Sequence, residues 1–232
     1  MSEDRALDRV VDWQPPMLPV RGGGCFPVRT VWCVGRNYAE HAREMGADPD
    51  RSSPVFFSKP AQAVIHADSV RYPPDTSELH HEVELVVFLR AGGRRLSPQQ
   101  ARSSIFGYAV GVDLTRRDAQ AQAKRAGLPW EMSKGFDQSG PVGLVLPATK
   151  WQPAADLRIT LRVDGQQRQS AILGDMLWPV GELLAELSGL VTLGAGDAVF
   201  TGTPAGVAAL EPGQLVRAGI DGLPELSFRI VW

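Results

Sequence analysis

The sequence predicts an α+β fold with a strand-rich core, and three observations predict it. Short runs rich in Val, Ile, Leu, Phe and Tyr, bounded by Gly, Pro and Asp, recur along most of the chain. Stretches with the apolar spacing of a helix are fewer and shorter. The two kinds of element do not alternate regularly, as a doubly wound parallel sheet would require.

In chain order, residues 1–25 read as an N-terminal arm, polar at first and then carrying Pro15, Pro16 and Pro19, with a turn at Gly22–Gly24. A single domain is expected over residues 26–232, without a repeat or linker. Its expected strands are Thr30–Val34, Val55–Ser58, Val83–Leu89, Tyr108–Val112, Val142–Leu146, Leu157–Val163, Ala198–Thr201, Gln214–Val216 and Leu226–Val231. Asp164–Gly165 signals a hairpin between Arg158–Val163 and Gln166–Ile172. Ser97 as cap and Pro98 at the first helical position start a helix that runs to about Ser104. A second helix is expected from Thr115 to Ala126, stopped by Gly127. A third, Pro179 to Ser188, carries the stripe Val180, Leu183, Leu184 and Leu187 and is stopped by Gly189.

Composition excludes several classes. The 24 basic and 26 acidic residues leave a net charge of −2, with no basic stripe for nucleic acid or an anionic membrane. No stretch approaches the ~18 apolar residues of a membrane span. The start Met-Ser-Glu-Asp-Arg lacks the pattern of a secretory signal, so a cytoplasmic protein is expected. Cys25 and Cys33 have neither redox nor zinc spacing and read as reduced thiols, Cys33 within a core strand. Gly194-Ala195-Gly196-Asp197 follows a helix and precedes a strand, the reverse of a dinucleotide fingerprint; Thr201-Gly202-Thr203-Pro204 lacks the lysine of a phosphate-binding loop.

The chemistry concentrates in Leu79-His80-His81-Glu82-Val83-Glu84-Leu85-Val86-Val87-Phe88-Leu89, which reads as one strand. Side chains two apart share a face, so Glu82 and Glu84 project together and Val86 and Phe88 continue their face as an apolar, buried surface. Two neighbouring carboxylates repel, and burial raises the cost. Protonation, basic partners or a hard divalent cation such as magnesium would offset it. A solvent-facing edge strand is the plainer alternative. Asp113, ending the apolar run Tyr108–Val112, is placed either to complete a metal site or to cap the next helix, a task Thr115 can also perform.

Five segments occur in a familiar order: Cys33–Met45 (CVGRNYAEHAREM), His80–Leu85 (HHEVEL), Gly107–Asp118 (GYAVGVDLTRRD), Ser133–Asp137 (SKGFD) and Thr201–Val207 (TGTPAGV). On these the chain resembles the fumarylacetoacetate hydrolase family, nearest its short bacterial fumarylpyruvate hydrolases and acylpyruvases of aromatic catabolism. The resemblance implies a mixed β-roll with short helices, a homodimer, and a catalytic Mg2+, replaceable by Mn2+ or Ca2+, on Glu82, Glu84 and Asp113. It implies that the separate N-terminal domain of longer members is missing.

Further roles follow. His41 and Glu44 are three residues apart, on one face if the segment is helical, where a carboxylate orients an imidazole. By resemblance they are the water-activating pair; an ordinary surface contact is the alternative. Their segment lies between Gly35 and a loop with Gly46, Pro49 and Pro54, and is expected to order over substrate as a lid. Lys134 is implied as an active-site cation, and Arg117, Gln120 and Thr203 as substrate contacts. Arg117 has a structural ion pair as its alternative, for instance with Asp118. His80 and His81 read as supporting residues, and Trp130 and Phe136 as pocket or core. The implied reaction is metal-dependent hydrolysis of a C–C bond in an acylpyruvate, fumarylpyruvate giving fumarate and pyruvate. Oxaloacetate decarboxylation and 2-oxo acid hydration or isomerisation are rivals within the family. A non-catalytic scaffold is the rival from another class, disfavoured because all five acidic and imidazole groups are kept.

Overall fold

The computed structural model describes residues 11–44, 46 and 54–232. The beginning of the expected arm and Pro49 of the expected lid loop lie outside these residues. Two mixed sheets organise the rest. The central one has six strands, in the order Leu146–Pro147, Ile105–Val112, Val83–Leu89, Asp197–Phe200, Thr30–Gly35 and Val55–Lys59. Only Asp197–Phe200 and Thr30–Gly35 pair in parallel in it. The second sheet has five strands, in the order Gln166–Ile172, Arg158–Val163, Leu215–Ile220, Leu226–Val231 and Ser69–Arg71. The strand-rich α+β expectation is what the chain adopts, and the described residues hold four α-helices of six to eleven residues: α1 (Ala39–Glu44), α2 (Pro98–Ser103), α3 (Arg117–Ala126) and α4 (Val180–Leu190).

Strand alternation decides which side chains meet. Val83, Leu85, Val87 and Leu89 join Ile159, Leu161, Val216 and Phe228 of the second sheet in one apolar cluster. The opposite face, with Val86, Phe88, Ala109 and Phe200, builds a second cluster with Leu18 and Phe26. Those two come from a hairpin, Met17–Pro19 against Cys25–Pro27, whose Phe26 meets Phe88 edge-on at 5.0 Å. The central sheet is therefore buried on both faces, and Cys33 is part of its core. Gly111 reflects this crowding: a β-carbon there would lie 2.5 Å from a Val86 methyl carbon.

Four local expectations are corrected. The run Leu79–Leu89 is not one strand. Leu79–His80 pairs with Thr115–Arg116 and Ala209–Leu210 in a small separate sheet, and Val83–Leu89 begins after a break. At that break the Val83 N–H donates to the Gln169 side chain (3.1 Å) instead of to a neighbouring strand. Because Thr115 and Arg116 are paired, the next helix starts at Arg117 rather than Thr115, and neither Asp113 nor Thr115 caps it. The Thr115 hydroxyl donates to the Asp113 carbonyl. The expected strand Val142–Leu146 shrinks to Leu146–Pro147 with an isolated bridge at Val142, in a stretch flanked by Pro141 and Pro147, which cannot donate to a ladder. Helix α4 runs through Gly189 to Leu190, because its start at Pro179 and its packing on α2 outweigh the cost of one glycine. Ser97 caps α2 as expected, with Gln100 closing the cap reciprocally, and Gly127 (φ +65°) ends α3.

Candidate active site

Strand pairing assembles three acids. Glu84 lies opposite Gly111 in the central ladder, and Asp113 follows the end of that neighbouring strand. The Asp113 N–H donates to the Glu82 carbonyl (2.8 Å), which fixes Glu82 although it stands outside the strand proper. One carboxylate oxygen from each of Glu82, Glu84 and Asp113 lies within 4.8 Å of the others, and all three residues are at most 5% exposed.

Three basic side chains meet them. Lys134 Nζ is 2.7 Å from both Glu82 Oε2 and Asp113 Oδ2. Lys59 Nζ is 2.8 Å from Asp113 Oδ1, and it also donates to the Leu114 carbonyl and the Ser139 hydroxyl. Arg117 pairs with Glu82 through Nη2 and donates from Nη1 to Gln120 Oε1 at 2.7 Å. This ion pair replaces the Arg117–Asp118 alternative; Asp118 instead accepts from Thr76 and from the Ser77 N–H.

The cations are shared unequally. Burial opposes the charge on Glu82, but Lys134 and Arg117 outweigh it and hold the carboxyl well below the usual carboxylate range. Glu84 has no cationic partner among the described residues and accepts the Gly202 N–H at 2.6 Å. Burial, then the charges of Asp113 and Glu82, push its carboxyl well above the usual range. Burial works against the charge on Lys134, and Asp113 and Glu82 more than restore it. Hard oxygen donors with one acid left uncompensated suit a divalent cation. The residues present fit such an ion, with Glu82, Glu84 and Asp113 as its holders.

The dyad sits across the cleft. Helix α1 brings His41 Nδ1 within 3.1 Å of Glu44 Oε2, and the Glu44 carboxylate also accepts the Gly206 N–H. His41 is buried and lines the same cleft as Glu82, Glu84, Arg117, Gln120, Lys134 and Thr203. Trp130 lines it as well, whereas Phe136 is in the core beneath Arg116. The loop after Asp197–Phe200 supplies both Gly202 and Thr203. Gly202 has φ +96°, and a β-carbon there would come within 2.7 Å of the Asn37 β-carbon, so this close approach to Glu84 requires glycine.

Two residues that build the site escaped the sequence reading. Lys59 ends a strand whose alternation, inward Phe57 then inward Lys59, already pointed it inside. Gln169 is buried and completely engaged. Its Oε1 accepts from Val83 N–H and from His81 Nδ1 (3.0 Å), and its Nε2 donates to Thr203 Oγ1 and the Pro204 carbonyl, both at 2.8 Å. The Val83 donor and the Pro204 acceptor fix the amide's orientation. The Thr203 hydroxyl accepts from Gln169, so its own hydrogen is free to donate elsewhere. His81 is thus a supporting residue, and burial lowers its pKa.

Known proteins share this sequence pattern and fold. The family model "Fumarylacetoacetate (FAA) hydrolase C-terminal" matches residues 30–231. A solved structure of fumarylpyruvate hydrolase from Pseudomonas aeruginosa, in complex with Mn2+ and pyruvate, is 45% identical. It superposes with a TM-score of 0.92, over 95% of this chain and 97% of that one. An oxaloacetate tautomerase of Escherichia coli (strain K12) is 40% identical over 91% of this chain and 94% of its own. A mitochondrial oxaloacetate tautomerase of Arabidopsis thaliana is 40% identical over 86% and 90%. The enzymes of this group thus include both hydrolases and oxaloacetate-converting members. By sequence and fold alike, the chain belongs to the fumarylacetoacetate hydrolase family.

Proposed function

We propose that this enzyme hydrolyses the C3–C4 bond of an acylpyruvate, with fumarylpyruvate giving fumarate and pyruvate. The observation that carries the reading is the buried His41, held by Glu44, on the cleft that holds the three acids. C–C hydrolysis needs a base for water, and enolate departure needs a positive centre.

A divalent ion, Mg2+ or Mn2+, on Glu82, Glu84 and Asp113 would supply Lewis acidity and a template for the 2-oxo acid end of the substrate. The chain's own residues supply the rest. Glu44 holds His41 Nδ1, so Nε2 is left to take a proton from water. The resulting hydroxide adds to the 4-oxo carbon. As the C3–C4 bond breaks, its electron pair goes to the departing pyruvate enolate, and the proton held by His41 balances the final protonation at C3. Lys134, charged and buried, stabilises negative charge during these steps. Thr203, its hydroxyl oriented by Gln169, donates to the substrate carboxylate, and Arg117 and Gln120 contact the substrate beside Glu82. A homodimer of this chain acting in the cytoplasm completes the reading.

The oxaloacetate tautomerase relatives favour a second reading, proton transfer on oxaloacetate without C–C hydrolysis. Product analysis decides. Purified protein is given fumarylpyruvate, acetylpyruvate and oxaloacetate, with Mg2+ or with EDTA. Metal-dependent release of pyruvate from an acylpyruvate is expected. Conversion of oxaloacetate alone would replace the hydrolase reading with the second one.

A further inference from the structure

The cleft continues beyond the acids, and two cations at its rim have no part in the chemistry above. Arg36 and Lys124 both line it, and neither has an ion-pair or hydrogen-bond partner among the described residues. We propose that they form a subsite for a second carboxylate, at the far end of an acyl chain lying along Phe57 and Trp130. The substrates are then extended dicarboxylic 2-oxo acids rather than the short diacid oxaloacetate. This rests on the hydrolase reading of the same cleft.

The spacing supports an extended ligand. Lys134 lies over the Phe57 ring at 5.2 Å, Phe57 meets Trp130 edge-on at 5.1 Å, and Lys124 lies over Trp130 at 6.0 Å. An aromatic wall therefore runs from the catalytic lysine to the rim. Along α3, Lys124 is seven residues beyond Arg117, about 10 Å of helix rise. The four-carbon chain of oxaloacetate is too short to bridge such a span, whereas the seven-carbon chain of fumarylpyruvate places a conjugated, flat segment against the aromatic rings and a carboxylate past them.

Electrostatics point the same way. Lys124 is held below its usual pKa, first by partial burial and then by Arg117, Arg36 and Lys134. A group crowded by three like charges is relieved by an incoming anion. Arg36 adopts a left-handed backbone (φ +63°) at the turn between its strand and α1, a conformation that costs a non-glycine residue energy and that recurs at ligand-binding positions.

The test compares dianionic with monoanionic ligands in the wild type, Lys124→Met, Arg36→Gln and the double variant. Losing a charge-assisted contact is expected to lower the ratio of kcat/KM for fumarylpyruvate over that for acetylpyruvate by about 10- to 100-fold per residue. Calorimetry on the Mn2+-loaded protein gives a reading without turnover. Wild type is expected to bind fumarate more tightly than crotonate, which has a methyl group in place of one carboxylate, and the double variant to lose that preference. An unchanged kinetic ratio, or equal affinity for fumarate and crotonate in the wild type, overturns the subsite. If the wild type cleaves neither acylpyruvate, the hydrolase reading fails, and the fumarate–crotonate comparison alone decides the subsite.

Discussion

Glu82 and Glu84 stand two residues apart, equally buried, yet they face opposite electrostatic situations. Glu82 is over-compensated by Lys134 and Arg117, while Glu84 has a backbone N–H and two repelling neighbours. Substitutions of the same kind should therefore change stability in opposite directions. Glu82→Gln leaves Arg117 without an acid and Lys134 with Asp113 alone, and is expected to cost the metal-free protein about 3 kcal/mol. Glu84→Gln removes an uncompensated acid, keeps an acceptor for Gly202, and is expected to stabilise the metal-free protein by about 1 kcal/mol. Chemical denaturation in EDTA checks both, and loss of stability in Glu84→Gln would refute the charge assignment. Gln169→Leu leaves the Val83 N–H and the Pro204 carbonyl buried without partners, and is expected to cost about 2–4 kcal/mol. KM should rise as Thr203 loses its orientation; an unaltered KM in the folded variant would separate Gln169 from the site. Of these residues the acids stood out through their close spacing and were tied to a metal by the family resemblance, although Glu82 stands outside the strand that the spacing assumed. Lys59 and Gln169 were missed: the alternation that turns Lys59 inward was outweighed by the habit of long polar side chains to reach solvent, and nothing local says that Gln169 faces a strand break more than eighty positions away.

At the scale of elements, α1 is the least self-sufficient. Six residues do not hold a helix in water, so its position depends on tertiary contacts. Asn37 supplies them. Its Nδ2 donates to the Thr201 and Trp178 carbonyls at 2.7 and 3.1 Å, and its Oδ1 accepts the Trp178 N–H at 2.7 Å. Asn37→Ala is expected to lower kcat by about 10-fold or more through displacement of His41, since small misplacements of catalytic groups are costly. Metal affinity should persist, because none of Glu82, Glu84 and Asp113 lies on α1. His41→Ala should remove about 100- to 10,000-fold of the hydrolysis and likewise leave metal binding intact. Measured rates beside Mn2+ titrations separate the two contributions, and full activity in His41→Ala would sink the dyad. Element legibility followed the strength of local signals. Gln166–Ile172 and Leu226–Val231 were readable to the residue because the Asp-Gly turn and an apolar run set their ends. The two-residue strands Leu79–His80 and Thr115–Arg116 exist only through pairing with distant partners, and no periodicity announces them.

For the whole molecule, the decisive fact is where the three acids sit. They lie on and beside two adjacent strands of a sheet that is covered on one face by the five-stranded sheet and on the other by the N-terminal hairpin. That class of architecture was legible in the density of strand signals, whereas the cover provided by Leu18 was hidden in an arm rich in proline, with Phe26 just past its end. Because the acids come together only when the central sheet is folded, a cation held by all three binds the native state and not the open chain. Its binding energy then adds to global stability, by about 2.7 kcal/mol when free metal is a hundred times its Kd. For a chain of this length each kcal/mol raises Tm by roughly 2–4 °C. A shift of about 5–10 °C is therefore expected on adding Mn2+ or Mg2+ to EDTA-treated, dialysed protein. His41→Ala should keep this shift, since the dyad lies outside the acid cluster, and Glu84→Gln should lose most of it even though its metal-free form starts out more stable. The two variants thus separate metal binding from catalysis at the level of folding. A melting curve that ignores millimolar divalent cation in the wild type would mean that Lys59, Arg117 and Lys134 already neutralise the acids for good, and would remove the metal from the proposed chemistry.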